Sequence, residues 1–483
     1  MSLPEEPESR LLQPGRNCCA VRSARRASVL VDAADYLARL DEVLRRAERS
    51  IFIIGWDFDA GIRLRPDEPG SPRLGDLLRR LVEERPSLEV RILVWNLSTV
   101  HTPGASLPLI LGAEWQTHPR IQLWLDHNHP IYGSQHQKLV CVDDSVAFVG
   151  GIDLTIDRWD TREHLPDHPL RTLPDGTPYG PVHDLHMIVE GEAARAVASV
   201  ARHRWRRATD EMPEDASGDR DIWPPDLPPD FADVPVGISR TMPASGGDPE
   251  VREIRALIGD ALAAARHTIY MEAQYFAEHS VGDVLEAGLA RETGPEIVVV
   301  TPRSEHGILE RWIMSSNRNR LIRRLKRADR FDRFRVLYPV VVEPEGDCEI
   351  FVHSKTMIVD DRLLRIGSAN LNRRSSGLDT ECDLVIEAHD KAARAAIVRI
   401  RNSLLAEHLG VTEEEVTEAL DREGSLVRIV DTLKGGARRL RAFDTIRKNG
   451  PVRPIFGTRL LDPSKPFPLM LRKRAPTRHA PKG

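Results

Sequence analysis

The sequence HQKLVCVDDSVAFVGG at residues 136–151 has a counterpart in HSKTMIVDDRLLRIGS at residues 353–368. Each stretch opens with a His, has a Lys two residues later, runs through apolar residues to paired aspartates, and closes on two small residues. The corresponding residues are His136, Lys138, Asp143, Gly150, Gly151 and Asp153 in the first copy, and His353, Lys355, Asp360, Gly367, Ser368 and Asn370 in the second. Two complete copies with the same internal spacing indicate a duplicated unit.

The sequence that flanks each copy is also repeated. Residues 31–59 and 248–276 both read as an amphipathic helix followed by a buried strand, and a second apolar strand follows each, at 88–95 and 295–302. Strands that alternate with helices favour a mixed or mostly parallel sheet in each half. The sequence therefore predicts an α/β fold made of two duplicated halves.

Composition along the chain predicts the boundaries of these halves. A Pro- and Asp-rich linker at 212–233 separates a first half at 27–211 from a second half at 234–410. Residues 1–26 read as a flexible leader, and residues 411–483 as a helical and basic C-terminal extension.

Bulk composition excludes several classes of protein. The chain has 483 residues, a net charge of −5, 41% hydrophobic and 29% charged residues, which is a globular balance without an overall basic field. No apolar run approaches the roughly 18–20 residues of a membrane helix, and the first residues lack the apolar core of a secretory signal. The five cysteines show no metal-ligand spacing. We therefore expect free thiols, no metal, no cofactor, and a cytoplasmic protein that contacts membranes only peripherally.

The two His/Lys pairs are suited to chemistry on a phosphodiester. In its transition state, negative charge spreads over the non-bridging oxygens, which Lys138 and Lys355 can hold, with a hydrogen bond from Asn370. One imidazole can attack phosphorus while the other protonates the leaving alcohol and later activates the incoming one. The lysines supply the positive charge, so this chemistry requires no metal.

An attacking imidazole needs its other nitrogen held by an acceptor. The runs HDLHMIVEG and TECDLVIEA correspond between the halves and place Asp184 opposite Glu381. We expect Asp184 to orient His136 and Glu381 to orient His353, the alternative being two acids at strand edges without a catalytic role. Asp143 and Asp360, five residues beyond each Lys, are expected to end a strand and cap a turn.

These residues resemble the phospholipase D superfamily, whose signature is H-x-K-x4-D-x6-G-[GS]. The segments GGIDLTIDRWDT, YMEAQYF, GPVHD, SSGLDTECDL and LLAEHLG are similar to segments of its lipid-hydrolysing branch. The resemblance covers roughly residues 28–410, and the chain's length fits the compact bacterial type. Ala273 stands where the family often has Asn, and no lipid-targeting C2, PX or PH-like module is recognised.

The resemblance implies two α/β/α halves packed about a pseudo-twofold axis, with one active site at the seam. It implies that His136 is the nucleophile, that His353 is the general acid and then base, and that Lys138, Lys355 and Asn370 bind phosphate. Asp184 and Glu381 match the supporting acids. We also expect Asp153, Ser368 and Gly151 at the substrate, although Asp153 in place of Asn370 makes the halves unequal in phosphate binding.

The expected activity is hydrolysis of glycerophospholipids, such as phosphatidylcholine, to phosphatidic acid and a headgroup alcohol, with transphosphatidylation. The expected partner is therefore phospholipid at a membrane surface; the sequence leaves the oligomeric state open. The alternatives are a cardiolipin-synthase-like phosphatidyltransferase, a nuclease that uses the Arg-rich run at 311–335, and a non-catalytic interaction protein. His127 and His129 are expected at the site entrance, and the Pro-rich loop 161–181 as a lid.

Overall fold

The computed structural model describes residues 10–95, 114–130, 132–216, 220–245, 247–304, 308–458 and 462–465. Its strands are β1 Ala20–Val31, β2 Ser50–Gly55, β3 Glu89–Trp95, β4 Ile121–Asp126, β5 Leu139–Val142, β6 Val146–Gly150, β7 Val182–His183, β8 Leu185–Gly191, β9 Phe231–Met242, β10 Val251–Arg252, β11 Thr268–Ala273, β12 Glu296–Val300, β13 Phe334–Val341, β14 Cys348–Glu349, β15 Phe351–Val352, β16 Lys355–Val359, β17 Leu363–Gly367, β18 Glu381–Glu387 and β19 Arg438–Ala442. Its helices are α1 Asp32–Leu44, α2 Leu74–Glu84, α3 Glu192–Thr209, α4 Glu253–Ala264, α5 His279–Ala290, α6 Ile308–Ala328, α7 Lys391–Leu409, α8 Glu413–Glu423 and α9 Leu426–Thr432, with a 3-10 turn at Glu114–Thr117.

The same strand order occurs in both halves, which confirms the predicted duplicated α/β fold. In the first half, β2, β3 and β4 pair in parallel, and β5, β6 and β8 continue the sheet antiparallel from β2. In the second half, β11, β12 and β13 are parallel, and β16, β17 and β18 continue antiparallel from β11. The strands of each half are therefore mixed, with the signature motif at the step from parallel to antiparallel pairing. β1 pairs with β8 and β9, and β9 pairs with β18, so the two halves form one continuous sheet.

The halves share a core. One face of the first sheet packs against α1 and α2, and one face of the second packs against α4 and α5. The remaining faces bury one continuous cluster with α3 and α7, in which Phe52 and Leu93 of the first half join Tyr270 and Val298 of the second. Burial of this apolar surface holds the seam together.

Two predicted boundaries are wrong. Residues 20–26 belong to β1, which pairs with β8 and β9, so the expected leader becomes sheet before its predicted end; residues 1–9 lie outside the described residues. The last residues of the expected linker belong to β9, and its Trp223 is buried. β1 was not predicted because its sequence is rich in Arg and because both of its neighbouring strands, β8 and β9, are distant in sequence.

The described residues of the predicted C-terminal extension pack against the second half. Strand β19 pairs antiparallel with β13, and α8 and α9 pack on the shared core. Among the described residues, no helix is both long and apolar enough to span a membrane.

Candidate active site

The signature histidines lie at the entry to strands rather than within them. β5 begins at Leu139, after His136 and Lys138, and β16 begins at Lys355, after His353. The expectation that each His and Lys shares one strand is wrong, because the ladder begins only at the apolar residues. These apolar runs, LVCV and KTMIV, are wholly buried and fix the position of the segment that precedes them.

Each histidine is held by backbone from the opposite half. The His136 amide donates to the Thr380 carbonyl at 3.0 Å, and the His353 amide donates to the His183 carbonyl at 2.8 Å. β15, just before His353, pairs in parallel with β7, just before Asp184. The segment that carries each histidine is therefore bonded to the opposite half, so both halves contribute to the candidate active site.

The supporting acids follow the same crossing. Nδ1 of His136 lies 2.9 Å from Oε2 of Glu381, and Nδ1 of His353 lies 2.6 Å from Oδ2 of Asp184. The predicted pairing of His136 with Asp184 and His353 with Glu381 is wrong, because each histidine takes its acid from the other half. In both pairs the carboxyl group holds Nδ1, which leaves Nε2 as the nitrogen available for chemistry.

The two lysines differ in their counter-charge. Lys138 Nζ lies 2.9 Å from Asp153 Oδ2, while Lys355 Nζ donates to the Gln274 amide oxygen at 2.9 Å. Asp153 also accepts from the Trp56 amide at 2.8 Å, so its carboxylate is fully engaged. A buried carboxylate repels phosphate, so these contacts favour a structural role for Asp153, and its expected contact with substrate stays a prediction.

Asn370 occupies the position equivalent to Asp153. Its side chain is buried, and among the described residues its Oδ1 has no hydrogen-bond partner. A neutral amide at this position means that Lys355 lacks the direct ion pair that Lys138 makes with Asp153.

The small residues that close the motifs contact the acids. A Cβ added at Gly151 would lie 2.1 Å from Oδ1 of Asp184, so only glycine admits that carboxylate. Ser368, at the equivalent position, donates from Oγ to Glu381 Oε2 at 2.6 Å and accepts from the Cys382 amide at 3.0 Å. Both were expected to bind substrate, but their described contacts are with the supporting acids instead.

Asp143 and Asp360 lie in turns that follow the motif strands. Asp143 accepts from three consecutive backbone amides at 48–50, and Asp360 from those at 266–268, all at 2.7 to 2.9 Å. Both have positive φ, 52° in each case, which Asp tolerates better than most residues. They fasten the turn to the loop before the neighbouring strand.

Burial controls protonation in the site. Burial, then the charges of the two lysines, lower the pKa of His136 well below its usual value, and burial with Lys355 does the same for His353. Burial lowers the pKa of Lys355 to about 7. Burial, followed by Asp379, raises the pKa of Glu381 to about 8. Both imidazoles are thus neutral at neutral pH, as a nucleophile requires.

A buried ionic cluster behind the site was missed by the sequence analysis. His183 Nε2 lies 3.0 Å from Glu272 Oε2, and His408 Nε2 lies 3.0 Å from Glu272 Oε1. Glu407 Oε1 lies 2.7 Å from His183 Nδ1. The segments GPVHD, YMEAQYF and LLAEHLG, which carry the family resemblance, each supply a member, and that was the available signal.

The loop 161–181 is anchored to the same cluster. His164 Nδ1 lies 2.9 Å from Asp160 Oδ2, and Arg171 Nη1 donates to Asp160 Oδ2 at 3.0 Å. His164 and Arg171 are almost completely buried. A loop fixed by buried charges at these points does not fit the expectation of a mobile lid. At the expected entrance, His129 accepts from Trp95 Nε1 at 3.1 Å and thereby adjoins the end of β3.

Comparison with known proteins gives consistent matches. Residues 120–221 match the family model described as Phospholipase D, and residues 258–400 match that described as Cardiolipin synthase, PLD-like domain. Phospholipase D A of Dictyostelium discoideum is 27% identical over 461 residues, covering 79% of this chain and 35% of the relative. Phospholipase D gamma 3 of Arabidopsis thaliana is 24% identical over 544 residues, covering 79% and 62%.

A solved structure matches nearly the whole fold. The phosphatidylserine synthase of Haemophilus influenzae Rd KW20 aligns with a TM-score of 0.53 and 13% identity over 86% of this chain and 96% of its own. The chain spans about a third of the Dictyostelium relative and less than two thirds of the Arabidopsis relative.

Proposed function

The chain belongs to the phospholipase D superfamily, and we propose that it is a phosphodiesterase that hydrolyses glycerophospholipids, such as phosphatidylcholine, to phosphatidic acid and a free headgroup alcohol. The observation that carries the proposal is the pair of neutral imidazoles, of which His136 is partly buried and His353 is buried. Each is held at Nδ1 by an acid of the opposite half and lies close to a Lys.

In the first step, Nε2 of His136 attacks phosphorus and forms a P–N bond as the P–O bond to the headgroup breaks. An entering phosphodiester anion offsets the repulsion from Lys138 and Lys355, which raises the pKa of His353 in the complex. Asp184 then stabilises the imidazolium, and His353 gives its proton to the leaving alcohol oxygen. Lys138, Lys355 and Asn370 hold the non-bridging oxygens.

In the second step, neutral His353 removes a proton from water. The water oxygen attacks phosphorus, the P–N bond breaks, and phosphatidic acid leaves with His136 restored. Any alcohol that reaches the intermediate can replace water in this step, so transphosphatidylation is part of the same proposal.

A phosphatidyltransferase is the second candidate, because residues 258–400 match a family model described as Cardiolipin synthase, PLD-like domain. The intermediate would be the same, and the acceptor would be the alcohol of a second lipid such as phosphatidylglycerol. The choice depends on the acceptor rather than on the His/Lys pairs.

A nuclease receives less support from the Arg-rich helix α6. Arg320 donates to the Arg453 carbonyl, Arg323 to the Pro451 carbonyl, and Arg327 to the Gly450 carbonyl. These guanidinium groups hold the C-terminal segment and are not presented together as a groove for a phosphate backbone.

The test uses phosphatidylcholine vesicles that contain a few per cent ethanol. We expect free choline and phosphatidylethanol from the wild type and neither from His136→Ala, while His203→Ala, a change at a partly exposed His of α3, retains both. Turnover by His136→Ala would contradict the assigned nucleophile. A second set of vesicles contains phosphatidylglycerol. Formation of cardiolipin from these vesicles, together with no release of choline from phosphatidylcholine, would favour the transferase.

A further inference from the structure

Four buried side chains converge behind the active site from separate segments. Asp32 stands at the junction of β1 and α1, His164 lies in the loop 161–181, His183 ends β7, and Glu407 lies near the end of α7. Each is at most 1% exposed at its side chain. We call these four residues the seam cluster, because three come from the first half and Glu407 comes from the second.

Their inward-facing atoms surround a common point. Glu407 Oε1 lies 2.7 Å from His183 Nδ1 and 3.1 Å from His164 Nε2. Asp32 lies 3.1 Å from His183 Nδ1 through Oδ1 and 3.6 Å from His164 Nε2 through Oδ2. One ligand atom from each residue fits within a 4.8 Å span. Ligands about a tetrahedral ion at ~2.0–2.1 Å are separated by roughly 3.3 Å, and the contacts bracket that value.

The outward-facing nitrogens are both held by carboxylates. His164 Nδ1 lies 2.9 Å from Asp160 Oδ2, and His183 Nε2 lies 3.0 Å from Glu272 Oε2. The inner nitrogens also face carboxylates, as in the 3.1 Å contact of His164 Nε2 with Glu407 Oε1, but with an ion at the centre the outer carboxylates would hold the proton on the outer nitrogen of each ring. This is the arrangement that orients histidine ligands of metal ions.

Two inward-facing atoms are not satisfied by hydrogen bonds. Within the part of the chain that the structure describes, Asp32 Oδ2 and His183 Nδ1 are buried without a hydrogen-bond partner, although oxygens lie near the nitrogen. Asp32 begins α1 with a φ of 64°, a left-handed backbone conformation that Asp adopts more readily than most residues.

We propose that the seam cluster binds one divalent transition-metal ion, with zinc as the ion that its ligands fit best. Two imidazoles favour zinc over calcium or magnesium, which prefer oxygen ligands. Two carboxylates balance the ion's double charge. All four ligands come from the protein and none is exposed, which is the pattern of a structural site and not of a catalytic one.

A metal ion in the seam cluster would affect catalysis only by fixing the positions of His353 and Asp184. The His183 carbonyl accepts the His353 amide at 2.8 Å, and the next residue, Asp184, holds His353 Nδ1. Asp32 Oδ1 also accepts the Asp184 amide at 3.2 Å. An ion on His183 and Asp32 therefore fixes the segment that positions the general acid. This inference concerns the ion and is independent of which phosphodiester the enzyme cleaves.

The rival arrangement is a cluster of hydrogen-bonded ions without metal. Burial alone would lower the pKa of His164, but Asp32, Asp160 and Glu407 raise it to about 9. Two protonated imidazoles would then balance the carboxylates. The two arrangements differ in metal content and in their response to chelators, so they can be distinguished without any activity assay.

The experiment measures metal in full-length protein purified without chelator. We expect inductively coupled plasma mass spectrometry to find one equivalent of zinc per chain in the wild type. His164→Gln should lose this zinc, and His203→Gln should keep it. Dialysis of the wild type against a strong chelator should lower Tm, and one equivalent of zinc should restore it. If His164→Gln does not fold, the chelated wild type is titrated with Co²⁺, and a saturable visible absorption at one equivalent is expected.

Zinc that remains bound in a folded His164→Gln protein would overturn the proposal. So would wild type that is purified without metal and neither binds Co²⁺ nor gains Tm from zinc. If the chelated wild type takes up zinc but its Tm does not rise, the proposal is also contradicted, because a buried structural ion stabilises the native state on binding.

Discussion

At the scale of single residues, the sequence predicted the two histidines and two acids of the candidate site and missed which acid contacts which histidine. The repeated spacing identified His136 and His353, and the alignment of the halves identified Asp184 and Glu381. An alignment places each acid in its half but does not show whether it reaches the histidine of its own half or the other. The structure resolves this in favour of crossed pairs.

The crossed pairs predict different defects in the two acid variants. In the proposed mechanism, Glu381→Gln alters the partner of the nucleophile and should slow attack, whereas Asp184→Asn alters the partner of the general acid and should slow protonation of the leaving group. With a phosphatidyl ester of p-nitrophenol, which leaves without a proton, Glu381→Gln should still lower the rate by about 10²–10⁴-fold, and Asp184→Asn should be nearly normal. Stopped-flow absorbance measures both, and the reverse pattern would refute the crossed assignment.

Lys355 predicts a falling limb in the pH profile. Its cation, which binds phosphate in the proposed mechanism, exists below its pKa and is lost as the pH rises through about 7. We therefore expect kcat/KM to fall above about pH 7, and the fall to move to higher pH in Lys355→Arg, because Arg stays protonated. If kcat/KM falls at the same pH in the wild type and in Lys355→Arg, the titrating group is not Lys355.

Gly151 predicts a steric effect on the acid of the first half. In Gly151→Ala the new Cβ would lie 2.1 Å from Asp184 Oδ1, so the carboxylate must move away from His353. A displacement of about 1 Å can lower the rate by about 100-fold. Ser368→Ala, which removes only a hydrogen bond to Glu381, is the matched control with a smaller expected loss. Steady-state rates and circular dichroism check both, and equal losses would argue against the steric account.

At the scale of elements, runs of apolar residues predicted strands correctly, whereas strands rich in Arg were not predicted. The apolar runs of β2, β3, β11 and β12 were predicted from their buried pattern. Residues 20–26 of β1 fall within the predicted leader because their Arg residues lie on a half-exposed strand between partners far away in sequence. β19 was hidden in the same way within the C-terminal extension.

The pairing of β19 with β13 predicts that the extension stabilises the second half. Ending the chain after residue 433 removes β19 and the carbonyls that receive Arg323 and Arg327, and exposes the edge of β13. We expect Tm to fall by several degrees and aggregation to increase. A chain ending after residue 465 is the control. Equal Tm values for the two truncated proteins would show that β19 contributes little.

At the scale of the whole molecule, function depends on contacts between halves that are far apart in sequence. The shared core, the exchanged acids and the seam cluster all join the two halves. The family segments indicated that His183, Glu272 and Glu407 matter, but neither spacing nor composition places them together. That information lies in the way the two halves of one sheet join and pack about a shared core, which no local sequence pattern records.

The most direct measurement looks for the intermediate itself. His353→Ala keeps the nucleophile but lacks the base of the second step, and p-nitrophenol needs no acid to leave. Mixed with the phosphatidyl ester of p-nitrophenol, this variant should release a burst of one p-nitrophenol per site. Mass spectrometry should then find the phosphatidyl group on His136. A burst without modification of His136, or the same modification on another residue, would contradict the account.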